Sequence, residues 1–150
     1  PPQPTGIQVA KPNPVTTVPA GAKATAQYEK AYANIRAKNY DAARAGFEDF
    51  LINHKDHVLA ANAKYWLGET YYVQGQYKSS AKAFAEGFQS FPKSAKSPDM
   101  LPKLGMSLAG MKKTKDACVA LSQVPVKFPS GNANILARAK QEMDRLACES

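Results

Sequence analysis

Few side chains in this 150-residue chain are of a type and spacing to do chemistry. Cys118 and Cys148 are its two thiols. They can join as a disulfide, stay reduced, or serve as a nucleophile. His54 and His57 are spaced as a metal pair, but no third ligand is near and both fall in a turn. They are read as loop histidines, with no metal site. Asp41, Glu48 and Asp49 read as separate acids on a helix surface, not as paired carboxylates for acid–base work. Glu69, between Gly68 and Thr70, could face a groove. The chain has no G-x-S-x-G, no H-E-x-x-H, no phosphate-cradling glycine loop and no C-x-x-C. The expectation is a protein that is not an enzyme, has no catalytic residues and takes no cofactor.

What the sequence does carry is a pattern of large and small residues, strongest from Ala60 to Pro92. Leu67, Gly68 and Tyr71 share one face of a first helix. A turn follows at Gln74-Gly75-Gln76. Tyr77, Ser80, Ala81, Phe84 and Phe88 recur at helical spacing in a second helix, and Pro92 ends it. Gly68 and Ser80 are small where two helices must approach; Tyr71 and Phe84 are large and fill the space beside them. The pattern returns when the numbering moves from 67 to 104, a shift of 37 residues. Leu67, Gly68 and Tyr71 become Leu104, Gly105 and Leu108, while Ser80, Phe84 and Pro92 become Ala117, Leu121 and Pro129. Moving back by the same step gives Ala31, Tyr40, Ala43 and Phe47. Such units cannot bury their apolar faces alone, so they must stack.

These residues resemble the tetratricopeptide repeat, whose usual period is about 34 residues. The longer period here implies slightly longer loops. Within that group, Tyr65-Trp66-Leu67-Gly68-Glu69, Tyr71-Tyr72, Phe91-Pro92-Lys93-Ser94, Lys96, Asp99 and Lys103-Leu104-Gly105 are similar to the C-terminal domain of the YbgF/CpoB family. That resemblance covers roughly Ala26 to Cys148. It implies a periplasmic protein of the Tol-Pal system. The expected fold is all-α: a tetratricopeptide-repeat solenoid of three helix-turn-helix pairs plus a C-terminal capping helix.

Apolar residues make up 44% of the chain, enough for the core of one domain. No apolar run approaches the about 18 residues a membrane span needs, so no membrane insertion is expected. Twenty Lys and Arg against 12 Asp and Glu give a net charge of +8. The basic residues are scattered singly apart from Lys112, Lys113 and Lys115, as on a solvated surface. They do not cluster with aromatic residues on one face, so nucleic acid is not the expected partner.

Residues 1–24 are rich in proline and lack periodicity, and are read as a flexible linker before a repeat domain over 25–150. The chain starts at Pro1, which suggests a fragment or processed chain. In the YbgF/CpoB family a coiled coil precedes such a linker. Oligomerisation is expected only through that absent segment, and this chain alone is expected to be monomeric by light scattering.

In the first repeat, about Thr25 to Asn53, Tyr28, Ala31, Tyr32 and Ile35 line one helix face, and Asn39 is the expected N-cap of the second helix. Lys55 stands where the later repeats have proline, and Asp56 is the expected cap of the next helix. In the third repeat Ser97 is the expected N-cap, with Pro98 at the first helical position. Pro102 is placed in the first turn or just past it, and Thr114 caps the partner helix. The last helix, about Asn132 to Ala147, presents Ile135, Leu136, Ala139, Met143 and Leu146 on one side and covers the solenoid end.

Antiparallel packing puts the start of the helix carrying Cys118 beside the end of the helix carrying Cys148. A disulfide is the expected state, and it favours an oxidising compartment. Two free thiols are the alternative, which thiol titration of the unfolded, unreduced chain distinguishes. A catalytic thiol is disfavoured because neither histidine lies in the same repeat.

Stacked repeats create a concave surface lined by the first helix of each pair. With the core face at Leu67, Gly68 and Tyr71, the residues left toward that groove are Asn62, Tyr65, Glu69, Tyr72 and Val73. The matching positions include Tyr28, Tyr32 and Arg36 before them and Met106 after. Tyrosines beside charges suit a bound peptide or helix. The alternative is that they only seal contacts between adjacent repeats. Tyr28 and Tyr32 stand where a carboxylate clamp would need Lys and Asn. The resemblance implies TolA as partner, and a septal peptidoglycan synthase as a further one. It implies a periplasmic role coordinating outer-membrane constriction with septal peptidoglycan synthesis during cell division. The alternative is a scaffold in outer-membrane protein or lipoprotein assembly. An enzyme of peptidoglycan turnover lacks any catalytic constellation.

Overall fold

The computed structural model describes residues 20–149, and all regular structure among them is helical. The helices are α1 (Ala20–Arg36), α2 (Tyr40–Asn53), α3 (Ala60–Val73), α4 (Tyr77–Ser90), α5 (Ser97–Gly110), α6 (Thr114–Lys127) and α7 (Ala133–Arg145). They pack as three antiparallel hairpins, α1/α2, α3/α4 and α5/α6, with α7 against the last. Each hairpin also packs on the next through α2/α3 and α4/α5. Helix α1 begins five residues before the expected start of the repeat domain, while most of the proline-rich segment lies outside the described residues. No described helix is long and apolar enough to cross a membrane.

The hairpin turns repeat in backbone as well as sequence. Lys38, Gly75 and Lys112 occupy the left-handed region, with φ of 63°, 73° and 65°. In each turn the next residue donates back across the helix end: Asn39 N–H to Asn34 O at 2.8 Å, Gln76 to Tyr71 at 2.9 Å, and Lys113 to Leu108 at 2.9 Å. This closure satisfies a carbonyl that a helix end would otherwise leave open. Only Gly75 has the residue type that the left-handed turn favours.

Packing follows the large-and-small pattern. Phe84 is fully buried among Ala61, Tyr65 and Met100. Its ring lies over Gly68, where an added Cβ would meet ring carbon at 2.7 Å. In the next repeat Gly105 lies under Leu121, where the same Cβ would stand 2.6 Å from Cγ. In the first hairpin Ala31 makes the close approach itself, 2.9 Å from where Gly46 would carry a Cβ. Gly68→Ala is therefore expected to destabilise the domain by about 1–3 kcal/mol, because the buried ring cannot swing aside. Urea denaturation checks this, and an unchanged midpoint would mean that the ring yields.

Hairpins two and three are also joined by a buried polar link. The Ser80 hydroxyl donates to Ser107 Oγ at 2.7 Å, and the Ser107 hydroxyl donates to Lys103 O at 2.9 Å. Both serines are fully buried. Ser80 is thus more than a small residue: its hydroxyl satisfies a partner that an apolar core would leave open.

Several expected helix starts are corrected. Asp56 does not cap α3; the His57 Nδ1 accepts the Leu59 N–H at 3.0 Å instead. Ser97 is the first residue of α5 rather than its cap, which is Lys96. Ser94 Oγ accepts the Lys96 N–H at 3.0 Å. Thr114 likewise stands inside α6, after Lys113. Asn39 occupies the cap position of α2 but makes no side-chain cap bond. Asp56, Ser97 and Thr114 thus do not cap these helices, while Asn39 holds its expected position without a side-chain bond. Pro102 lies inside α5 beyond its first turn, so the Pro98 carbonyl loses its usual partner while the proline ring is buried.

Cys118 of α6 and Cys148, just past α7, form the expected disulfide, with Cα atoms 5.6 Å apart. It fastens the cap helix to the third hairpin. Helix α7 seats Ile135, Leu136, Met143 and Leu146 on the cluster built from Leu101, Leu121 and Val124.

Candidate protein-binding groove

The direction of curvature follows from which helices touch. Successive first helices α1, α3 and α5 contact one another, and α5 contacts α7. The second helices α2, α4 and α6 make no such contacts among the described residues. The solenoid therefore closes on the side of the first helices and opens on the other. The concave face carries the first-helix side chains, as the repeat geometry requires.

An aromatic ladder runs along this face. Tyr28 and Tyr32 of α1 stack with centroids 6.5 Å apart. Tyr32 meets Trp66 edge-on at 5.1 Å, and Trp66 meets Tyr65 edge-on at 5.1 Å. Tyr28 also packs on Phe47 and Phe50, so it seals the first hairpin as much as it faces outward. Tyr72 makes an edge contact with Tyr77 at 5.4 Å.

Cations lie over these rings. The Arg36 guanidinium is 5.1 Å from the Tyr32 centroid. Lys96 Nζ is 4.6 Å from the Tyr65 ring and 5.6 Å from Trp66. Lys103 Nζ is 5.3 Å from Tyr72 and pairs with Glu69 Oε1 at 2.9 Å. Partial desolvation strengthens such cation–ring contacts and holds long side chains in fixed places.

The predicted groove residues divide accordingly. Asn62, Glu69, Tyr72 and Met106 are half-buried, and Val73 and Arg36 are exposed. Tyr65 is corrected: it is only 9% exposed and belongs to the core around Phe84 rather than standing free in the groove. Helical spacing placed it correctly on the inner face. Burial comes from Phe84 of the neighbouring helix and from the lysine covering its ring. Trp66, read from the sequence as core or groove packing, lies on the inner face between Tyr32 and Tyr65; Lys96 and Lys103 are inner-face residues that the sequence reading did not place there. A signal for one existed, since moving from Trp66 by the repeat length lands on Lys103.

Burial raises the Tyr65 phenol well above its ordinary value, with Glu69 and Asp99 adding to the effect and Arg138 opposing it. Burial likewise raises Tyr28 and Tyr72. Burial also raises the Asp99 carboxyl, against the pull of Lys96 and Lys103. The tyrosines stay neutral phenols at physiological pH, able to donate and accept hydrogen bonds. The arrangement presents rings, hydroxyls and fixed charges. It suits recognition of a polypeptide.

The tetratricopeptide repeat family model matches residues 25–57 and 103–131, the first and third repeats. A search of curated proteins finds no match. Between the two matched segments, α3 and α4 continue the same register without a break.

Proposed function

Because the described residues form a tetratricopeptide-repeat solenoid, a fold that binds protein partners, we propose that this chain is a non-catalytic protein-interaction module of the bacterial envelope. In this reading it works in the periplasm with the Tol-Pal system. It binds TolA and helps coordinate outer-membrane constriction with septal peptidoglycan synthesis during cell division. The family reading is supported by the resemblance of Tyr65-Trp66-Leu67-Gly68-Glu69 and Phe91-Pro92-Lys93-Ser94 to YbgF/CpoB proteins. The Cys118–Cys148 bond supports an oxidising compartment.

The single observation that carries the binding role is the ordered inner face, where Tyr32, Trp66 and Tyr72 stand beside Arg36, Lys96 and Lys103. Aromatic and arginine side chains held in place are the usual anchors of a protein interface.

Calorimetric titration with the periplasmic portion of TolA tests this. Tyr72→Ala is expected to weaken binding more than tenfold while helicity by circular dichroism is unchanged. Tyr72 is the better probe than Tyr65, whose removal would also open the core. Unaltered affinity in the Tyr72 variant would move the contact off the groove, and no heat with the parent chain would reject TolA.

A further inference from the structure

A cavity of about 250 Å³ opens where the concave face meets the cap helix. Its apolar wall is Pro102 and Met106 of α5 with Ile135 of α7, and its rim carries Asp99, Lys103 and Arg138. Tyr65 lines its inner end. Three elements build it, and α7 supplies one wall. A repeat hairpin alone would not have it.

The charges around this cavity are unequal in their commitments. Lys103 is held by Glu69, and Arg145 further along α7 is held by Glu142 at 2.7 Å. Arg138, Lys96 and Arg36 have no carboxylate within ion-pair distance among the described residues. Asp99 is the one carboxylate on the rim, and both Lys96 and Lys103 act on it. On the rim, Lys103 and Arg138 against Asp99 leave a net positive charge, and the flanking Lys96 and Glu69 balance each other, on a chain of net charge +8.

Resting on the groove reading above, we propose that this cavity is the anchor subsite of the groove. It takes a large apolar side chain from an acidic partner segment, whose neighbouring carboxylate meets Arg138 and Lys96. The cavity volume suits one such side chain. Arginine's planar fork suits the carboxylate. Lys96 and Arg36 over their rings extend the positive line along the face, so further acids in the partner strengthen and orient docking.

The test starts from random twelve-residue peptides displayed on phage and selected against the intact, oxidised chain. The selected peptides are synthesised and mapped by amide chemical shifts. The expected result is enrichment of Asp or Glu next to Leu, Phe or Trp, with shifts centred on Met106 and Ile135. Arg138→Glu, on an exposed position of α7, should weaken such peptides at least tenfold with helicity preserved. A peptide with its acids changed to Lys should then recover affinity for that variant. Raising salt from about 50 to 300 mM should weaken the acidic peptide severalfold. Peptides that map to the groove without acidic preference and ignore Arg138→Glu would overturn the subsite and leave the groove reading standing. Selected peptides that all map elsewhere would overturn both.

Discussion

Phe84→Ala is expected to lower the free energy of unfolding by about 3–5 kcal/mol, the range for removing a fully buried aromatic ring. The residue is 0% exposed and lies between hairpins two and three. It touches Tyr65 at a centroid distance of 5.9 Å and covers Gly68. A domain of ordinary stability, about 5–15 kcal/mol, would lose a large share of it. The cavity cannot refill, because Gly68 has no side chain to move into it. Urea denaturation followed by circular dichroism measures the change; a loss below about 1 kcal/mol would mean the helices collapse into the gap. Phe84→Leu copies the Gly105/Leu121 pairing of the next repeat and is expected to cost less than the alanine change. Combined with Gly68→Ala, it should show coupling, since the two residues share one contact.

The second large effect is expected from opening the Cys118–Cys148 bond. The cysteines are 30 residues apart, and the chain-entropy model assigns such a closure roughly 3–4 kcal/mol. The loss should fall first on α7. Only Ala139 of that helix is fully buried, and Ile135, Leu136 and Met143 are half-covered. Unfolding melts with and without dithiothreitol should show a lower midpoint in the reduced protein, and Cys148→Ser should reproduce it. Amide exchange should rise in α7 before it rises in α3 and α4, because the least buried unit opens first. An equal melting midpoint in both states would show that the apolar face of α7 suffices to seat it. Reduction should also weaken the groove, since α7 supplies Ile135 and Arg138 to the cavity beside Tyr65.

The sequence by itself determined the helix pairs, their register and the core. Side chains one repeat apart occupy equivalent places, so Gly68 with Phe84 and Gly105 with Leu121 could be read from size alone. The disulfide followed from the antiparallel course of consecutive helices. The inner face was legible for the same reason, since a helix of known core face has a known opposite face.

What only the tertiary structure decided was how deep each inner-face residue sits and which charges meet. Tyr65 and Tyr72 lie seven residues apart on the same face of one helix, yet one is buried and the other half-open. The difference comes from Phe84 of α4 and Met100 of α5, which share a buried cluster with Tyr65, and helical periodicity carries no information about either. The Glu69–Lys103 pair and the cavity walled by α7 depend on how far each repeat turns against the last. That angle arises from many small packing contacts summed along the stack, so no local pattern of residues encodes it.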